Sequence, residues 1–199
     1  MPMRKFIALV GTNTTNSTNR KLLQYMQRHF ADQAEIELME VSGLPMFNKP
    51  RNMKVPDQAL AMAEKIEASD GVIISTPEYD HAVPAILMNA LAWLSYGIQP
   101  LMDKPVMVVG ASFGALGTSR AQGHLRQILD SPEIRARIMP SSEYRVGSVL
   151  KVLDENGNLT DDKLVEHLDA LFADFQRFVE ISDELWHTAQ FDKQNATQA

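Results

Sequence analysis

The sequence contains no cysteine among its 199 residues. Disulfides, thiolate metal centres, iron–sulfur clusters and mechanisms that use a cysteine nucleophile are therefore excluded. The same absence suits a reducing compartment, because intracellular proteins rarely depend on disulfides. The chemistry of the protein must come from other side chains, from the backbone or from a bound cofactor.

Basic runs and long apolar stretches are also missing. The formal net charge is −6, and no run of lysine and arginine stands out, which argues against nucleic-acid or anionic-membrane partners. No apolar stretch nears the ~20 residues of a membrane span. Residues 1–5 lead into an apolar run of only five residues, which is shorter than the core of a secretory signal. We therefore expect a cytoplasmic protein.

The two standard nucleotide-binding motifs do not occur. Gly-x-x-x-x-Gly-Lys-Ser/Thr is absent, which excludes a P-loop nucleotide triphosphatase. The Gly-x-Gly-x-x-Gly fingerprint of dinucleotide-binding domains is absent as well. A site for a phosphorylated ligand would have to be built in another way.

Apolar runs and helical patterns alternate along the chain. With 45% hydrophobic and 22% charged residues, we expect one globular domain covering residues 1–199. The spacing predicts strands at 6–10, 36–41, 71–75 and 106–109, and the start of a last strand at Ile138 and Met139. It predicts helices at about 18–30, 57–68, 85–97 and 118–129, and a long final helix through 164–178. Residues 42–56 are irregular, and those after about 186 form a polar tail.

Continuous apolar strands that alternate with helices predict a parallel sheet with helices on both faces. Five such strands match a flavodoxin-like α/β fold, a three-layer sandwich whose five-stranded sheet has the order 2-1-3-4-5. Strands 1, 3 and 4 are neighbours in this order, and strands 1 and 3 flank the point where the order reverses. A ligand crevice is expected at the carboxyl ends of those strands.

Three polar or glycine-rich loops follow those three strands, at residues 11–19, 76–81 and 110–117. Because they leave the same edge of the predicted sheet, we expect one pocket for a phosphorylated, flat ligand. The first loop runs into a helix, whose unpaired amides bind phosphate. Its polar side chains can add hydrogen bonds, although they would equally fit an ordinary helix cap.

The second and third loops offer an aromatic face and a close backbone approach. Pro77 stiffens the second loop, and Tyr79 either faces the ligand or packs as a partly buried residue. Three glycines around Ser112 let the third loop approach a ring. Arg120 and Arg126 follow on a helix, where they either bind the phosphate of a second nucleotide or stay in solvent.

Three motifs in order carry a family resemblance. The first is Gly-Thr at 11–12 with Ser-Thr-Asn at 17–19. The second is Pro-Glu-Tyr-Asp at 77–80, followed by the segment from Pro84 to Trp93. The third is Lys-Pro at 104–105, then the glycine loop and Arg-Ala-Gln-Gly-His-Leu-Arg at 120–126. Over roughly residues 4–180 the chain resembles the NAD(P)H-dependent FMN reductases of the flavodoxin-like superfamily, which include quinone, azo-dye and chromate reductases.

The resemblance implies an oxidoreductase in which non-covalently bound FMN carries hydride from NADH or NADPH to a small acceptor. That acceptor would be a quinone, an azo compound, a metal oxyanion or a free flavin. The flavin performs the chemistry, so no catalytic side chain and no metal is expected. The phosphate would lie on the first loop and the ring between the other two. The implied cofactor contacts are Gly11, Thr12, Ser17, Thr18, Asn19, Pro77, Glu78, Tyr79, Asp80, Ser112, Phe113, Gly114 and Gly117.

The same family is usually dimeric or tetrameric, with the flavin near a subunit boundary. The segment 85–97 is apolar almost all round, which predicts a helix buried on more than one face. Either a second subunit covers this helix, Trp93 included, or the core of its own subunit does. The resemblance implies a homodimer or homotetramer.

A flavodoxin-type electron carrier would bind the same FMN but would not itself oxidise NAD(P)H. A cofactor-free interaction protein would bind no flavin. A low-molecular-weight tyrosine phosphatase has a related sheet but needs the cysteine that is absent here. The sequence chooses neither between NADH and NADPH nor among acceptors.

The chain departs from the family pattern at two site positions. The arginine of the first loop is missing, with Asn13 and Thr14 near its place, and weaker cofactor-phosphate or nicotinamide-nucleotide contacts are expected. Asp80 stands where the family has asparagine. With His81 beside it, Asp80 still makes no metal coordination set, because one aspartate and one histidine are too few ligands.

Asp80 is predicted to lower the reduction potential of the bound flavin. A nearby anion disfavours the negative charge that the ring gains on reduction. An Asp80→Asn variant should therefore have a higher potential, measured by redox titration of the flavoprotein. A potential no higher than that of the parent would contradict this interpretation.

Overall fold

The central strands form where the chain is continuously apolar, because such a run can be buried between two layers of helices. The computed structural model describes residues 3–140 and 142–196. The strands are β1 Arg4–Val10, β2 Ala34–Glu40, β3 Gly71–Ser75, β4 Pro105–Ala111, β5 Arg137–Ile138 and β6 Tyr144–Val146. The helices are α1 Thr18–His29, α2 Asp57–Glu67, α3 Ala85–Trp93, α4 Ser119–Leu129, α5 Val149–Val152 and α6 Asp162–Ala196.

The strands pair in the order β2-β1-β3-β4-β5, and all of these pairs are parallel. The predicted flavodoxin-like order is therefore confirmed. The last strand is split into two pieces: β5 pairs with the first residues of β4, and β6 pairs with the last ones. Pro140 lies between the pieces and has no N–H to donate to a ladder, which explains the interruption.

The two faces of the sheet bury two separate cores. Successive side chains of a strand point to opposite faces, and β1 shows the division. Ile7 and Leu9 join a core with residues of α2, α3 and α4. Phe6 and Ala8 join a second core with residues of α1 and α6. The predicted three-layer sandwich is thus the observed one.

Helix α3 is largely covered by its own chain. Trp93 is 3% exposed, and its indole Nε1 donates to the carbonyl of Pro45 at 2.7 Å. Its ring meets that of Phe47 edge to face at 5.0 Å. The side chain of Asn89 holds the same segment, accepting from the amide of Phe47 and donating to the carbonyl of Pro45. The alternative in which a second subunit covers Trp93 is therefore wrong, because residues 42–56 already do so.

The helices α3, α5 and α6 show the main differences from the sequence prediction. Helix α3 ends at Trp93 and does not reach residue 97. Helix α5 was not predicted, because four residues are too few to show a helical period. Helix α6 continues to Ala196, so the predicted polar tail is helical up to that residue, and residues 197–199 lie outside the described chain. Among the described residues, no helix is long and apolar enough to cross a membrane.

Candidate functional site

The carboxyl ends of β1, β3 and β4 lie side by side, and the loops that follow them meet there. They form a cleft of about 270 Å³, just below the range of about 300–1,000 Å³ that small-molecule sites occupy. The convergence expected from the strand order is thus observed. The cleft is lined by Thr14, Asn16, Ser17, Thr18, Asn19, Pro77, Glu78, Tyr79, Ala111, Ser112, Phe113 and Gly114.

Asn19 ties the ends of β3 and β4 to the start of α1. The residue is 1% exposed. Its Oδ1 accepts hydrogen bonds from the amide of Ala111 at 2.9 Å and the hydroxyl of Ser75 at 2.8 Å. Its Nδ2 donates to the carbonyl of Ala111 at 2.9 Å. The side chain of Asn19 therefore positions the loops, and its oxygen has no free capacity for a ligand.

The first loop presents unpaired backbone amides where it enters α1. Ser17 caps this helix, because its hydroxyl accepts from the amides of Asn19 at 3.2 Å and Arg20 at 3.3 Å. Within the described chain, no group accepts a hydrogen bond from the amides of residues 15–18. Four donors beside the positive end of a helix are suited to a phosphate group.

Tyr79 connects the second loop to the first. Its hydroxyl lies 3.4 Å from Oγ1 of Thr12 and 3.3 Å from Oγ1 of Thr14. The residue is 49% exposed, whereas Thr12 is 1% exposed. Tyr79 therefore keeps an exposed ring in the cleft wall, while Thr12 supports it from behind and does not line the cleft.

Glu78 connects the second loop to the helix that follows the third. Its Oε2 accepts from the amides of Arg120 at 2.9 Å and Ala121 at 3.1 Å, in the first turn of α4. Thr118, at the N-cap of that helix, has a left-handed backbone (φ 66°) and makes no side-chain cap, so Glu78 caps the helix in its place. Burial raises the pKa of Glu78, but hydrogen bonds from Ala121, His81 and Arg120 outweigh it, and the net pKa is lowered. Glu78 is thus held as a carboxylate.

The two arginines of α4 have protein partners. The guanidinium of Arg120 lies 3.6 Å from Oε1 of Glu78. Arg126 donates to the carbonyls of Met139 and Ser142 and is partly buried. The expectation that Arg126 stays in solvent is therefore wrong, and a contact with a nucleotide phosphate stays a prediction. Arg126 braces the connection between β5 and β6, which periodicity could not predict.

Asp80 and His81 form a two-residue turn. The backbone of Tyr79 and Ala82 is paired on either side, and both central residues have positive φ, 50° and 61°. These signs are those of a type I′ hairpin turn. The turn places Asp80 in a second cleft of about 480 Å³, which shares Glu78, Ser112 and Gly114 with the first. No group of three metal-ligating side chains exists in the part of the chain that the structure describes.

The glycines of the third loop serve different purposes. A Cβ at Gly110 would clash with the hydroxyl of Thr118 and lie 2.8 Å from the carbonyl oxygen of Thr76, so packing demands glycine there. A Cβ at Gly114 would meet nothing within 4 Å. Gly114 lines both clefts, so its missing side chain leaves space that the protein itself does not fill.

Most of the predicted contact residues reach the main cleft. Asp80 lines only the second cleft, and Gly11, Thr12 and Gly117 line neither. Gly11 instead packs against Ser75, and Gly117 against Arg145. Three further residues line the cleft although their residue types do not mark them as facing inward, and these are Thr14, Asn16 and Ala111. Direct contact of any of these residues with a cofactor stays a prediction.

Comparison with known proteins identifies relatives over most of the chain. The family described as NADPH-dependent FMN reductase matches residues 4–151. The NADH:(hydroxy)cinnamate reductase subunit CrdA of Vibrio ruber is 53% identical over 180 residues, covering 90% of this chain and 89% of that protein. The NADH-dependent flavin reductase subunit 2 of Lactobacillus johnsonii is 41% identical over 182 residues, covering 88% and 97%.

Among solved structures, the chain is similar to FerB of Paracoccus denitrificans, a flavoenzyme NAD(P)H:(acceptor) oxidoreductase. The TM-score is 0.78 at 26% sequence identity. The match covers 90% of this chain and 99% of that one. The same fold is therefore shared over nearly the whole of both chains.

Removing the Asn19 side chain should destabilise the protein. Asn19→Ala leaves the amide and carbonyl of Ala111 and the hydroxyl of Ser75 without their partner, and an unpaired buried polar group costs about 1–3 kcal/mol. We expect the free energy of unfolding, measured in urea, to fall by at least about 2 kcal/mol. Asn16→Ala, at an exposed asparagine of the same loop, should change it by under about 0.5 kcal/mol. Equal effects of the two substitutions would contradict the role of Asn19.

The cap made by Glu78 should give a pH-dependent stability. Because the folded-state pKa of Glu78 is lowered, its carboxylate stabilises the fold above the ordinary glutamate value of about 4.3. That contribution is lost as the pH falls through the lowered pKa. Glu78→Gln should therefore be less stable than the parent at neutral pH, and the difference should shrink in acid.

The free energies of unfolding of the parent and of Glu78→Gln, measured from neutral to acidic pH, check the prediction. Glu64→Gln, at an exposed glutamate of α2, is the control and should show no such trend. A Glu78→Gln difference that is the same at neutral and acidic pH would count against the helix cap.

Proposed function

The chain belongs to the family of NADPH-dependent FMN reductases, and on this premise we propose that the cleft at the carboxyl edge of the sheet is its FMN site. The protein is an NAD(P)H-dependent oxidoreductase, and bound FMN supplies its hydride-transfer chemistry toward flavin or quinone acceptors. The family resemblance carried by the three sequence motifs is confirmed. The relatives are reductases, which supports an enzyme over a flavodoxin-type electron carrier.

The placement of the cofactor is based on the unpaired amides of residues 15–18. They lie at the start of α1, in the wall of the cleft, and no described group uses them. Backbone donors at a helix N-terminus favour an anion without a neighbouring cation. We place the phosphate of FMN on these amides.

The part of the cleft formed by the second and third loops suits a flat ring. Tyr79 presents an exposed aromatic face, and Phe113 is 69% exposed. Beside them, the missing side chain of Gly114 leaves open space that packing does not require. We place the isoalloxazine ring there, between Pro77–Tyr79 on one side and Ser112–Gly114 on the other.

The residues of the chain bind and orient, and we assign no catalytic side chain. Among the described residues that line the main cleft, Glu78 is the one with a carboxyl group. Its oxygens are engaged by the amides of Arg120 and Ala121 and by His81. A carboxylate so occupied is not free to act as an acid or a base toward a substrate.

The charges of the second cleft favour NADH over NADPH. Asp80 and Glu78 line it, and the cation of Arg120 already lies against Glu78. In this cleft the extra phosphate of NADPH would approach the carboxylate of Asp80. Among the described lining residues, no unpaired arginine or lysine is present to offset the repulsion between these two negative groups. Both relatives compared above are named for NADH. The ratio of kcat/KM for the two nucleotides measures this, and a preference for NADPH would contradict it.

We further propose a cytoplasmic protein that works as an assembly of subunits. Phe113 and Leu116 are 69% and 53% exposed at the clefts, and exposed apolar side chains next to a site are typical of surfaces that another subunit covers. The two relatives are named as subunits. A homodimer or homotetramer would meet this requirement, and a monomer by light scattering would contradict it.

The direct test is the visible spectrum of the purified protein. It should show bound flavin, either as isolated or after addition of FMN, and NADH should bleach the flavin band in the absence of oxygen. A quinone should restore the band. A protein that acquires no flavin spectrum on addition of FMN would contradict the proposal and favour a cofactor-free interaction protein.

A pair of glycine substitutions localises the site. A side chain at Gly114 would fill the cleft, so Gly114→Leu should fold normally but bind FMN at least about tenfold more weakly. A Cβ at Gly123 in α4 would also meet nothing within 4 Å, but Gly123 does not line the cleft. Gly123→Leu is therefore the matched control and should bind FMN as the parent does. Unchanged FMN affinity in Gly114→Leu would contradict the placement of the isoalloxazine ring at this position.

A further inference from the structure

Arg20 holds the first loop from behind the cleft. It is the third residue of α1, and it does not line the cleft. A cation in the first turn of a helix is unfavourable, because that end of the helix carries partial positive charge. Its presence there calls for a reason other than helix stability.

All three nitrogens of the Arg20 guanidinium donate hydrogen bonds. Its Nε and Nη2 donate to the two carboxylate oxygens of Glu40, at the end of β2, at 2.6 and 2.7 Å. Its Nη1 donates to the carbonyls of Thr14 at 2.6 Å and Thr15 at 3.1 Å. The bidentate pair with Glu40 fixes the plane of the guanidinium, so the remaining nitrogen meets the loop in a set direction.

These two carbonyl contacts determine where two amides point. All peptide bonds described are trans, and in a planar trans peptide the C=O and the N–H point in opposite directions. The carbonyl of Thr14 shares its peptide plane with the amide of Thr15, and the carbonyl of Thr15 with the amide of Asn16. With both carbonyls on Arg20, both amides point away from it. They are two of the four unpaired amides at the start of α1.

We propose that Arg20, oriented by Glu40, is a positioning residue for the phosphate of FMN. It fixes two peptide groups of the first loop so that their amides face the phosphate, which the residue itself does not touch. This assignment rests on the proposed function. The same role also accounts for the absence of an arginine within the first loop, because the cation of Arg20 fixes the shape of that loop and does not contact the phosphate.

A comparison of FMN with riboflavin separates this role from a merely structural one. The two flavins share the ring and the ribityl chain, and only FMN has the phosphate. Loss of loop geometry at the phosphate should weaken FMN binding and leave riboflavin binding unchanged. A general loosening of the contact between β2 and α1 should weaken both flavins alike.

The experiment uses the full chain freed of flavin and titrated with each flavin. Arg20→Lys keeps the positive charge, but a lysine cannot form the bidentate pair with Glu40 and also donate to two carbonyls. Glu40→Gln keeps Arg20 but removes the carboxylate that fixes the orientation of its guanidinium. In each variant the dissociation constant for FMN should rise about tenfold, with that for riboflavin unchanged within about twofold. Arg4→Lys is the matched control, because Arg4 is equally shielded (19% against 18% exposed side chain) and also paired with carboxylates, at the amino end of β1. It should leave both constants unchanged.

The outcomes separate the inference from the function on which it rests. A parent protein that prefers FMN, together with variants that keep the same preference, would overturn the role of Arg20 and leave the FMN site intact. Variants that lose affinity for both flavins equally would also overturn it. A parent that binds FMN and riboflavin equally well would overturn the phosphate placement itself. Thermal melting of each flavin-free variant shows that the affinities refer to folded protein.

Discussion

The site depends on one buried side-chain amide, that of Asn19. Loops at the end of a parallel sheet have no ladder of their own, because the strands stop where the loops begin. Asn19 replaces that ladder by pairing with Ala111 at the end of β4 and Ser75 at the end of β3. Leaving such buried groups unpaired costs more than pairing them contributes. The start of α1 is therefore held in a fixed position relative to the ends of β3 and β4.

Each loop of the cleft is held by a residue of another segment, and this limits what sequence can predict about the site. The residue types marked the correct loops, since polar caps, an aromatic and glycines are visible in the sequence. Their roles were not visible. Glu78 caps a helix whose first-turn amides lie 42 and 43 residues away, and Tyr79 meets threonines of the first loop. Arg20 reaches Glu40 across the end of β2. Partners so distant in sequence leave no periodic signal.

The fold was more predictable than the site, for a physical reason. Burial on both faces imposes unbroken apolar runs on β1, β3 and β4, and β3 was placed at its observed residues 71–75. Very short elements lack such a signal: α5 and the split between β5 and β6 depend on a few tertiary contacts and on Pro140. The apolar pattern of α3 correctly indicated a largely buried helix but could not say which segment covers it. Hydrogen bonds from Asn89 and Trp93 to residues 42–56 decide that question.

Electrostatics explain why so much of the chain is devoted to bracing these loops. A protein of net charge −6 has little long-range attraction for an anionic cofactor. The cations nearest the clefts are also neutralised, Arg20 by Glu40 and Arg120 by Glu78. The proposed phosphate site must then rely on neutral amide donors, whose interaction with an anion is short in range and demands correct direction. Donors of that kind bind well only if the loop is already in shape before the ligand arrives, since ordering it afterwards would cost conformational entropy. The charged side chains near the clefts bind the protein's own backbone and each other, and these contacts fix the loop geometry that the amide donors need.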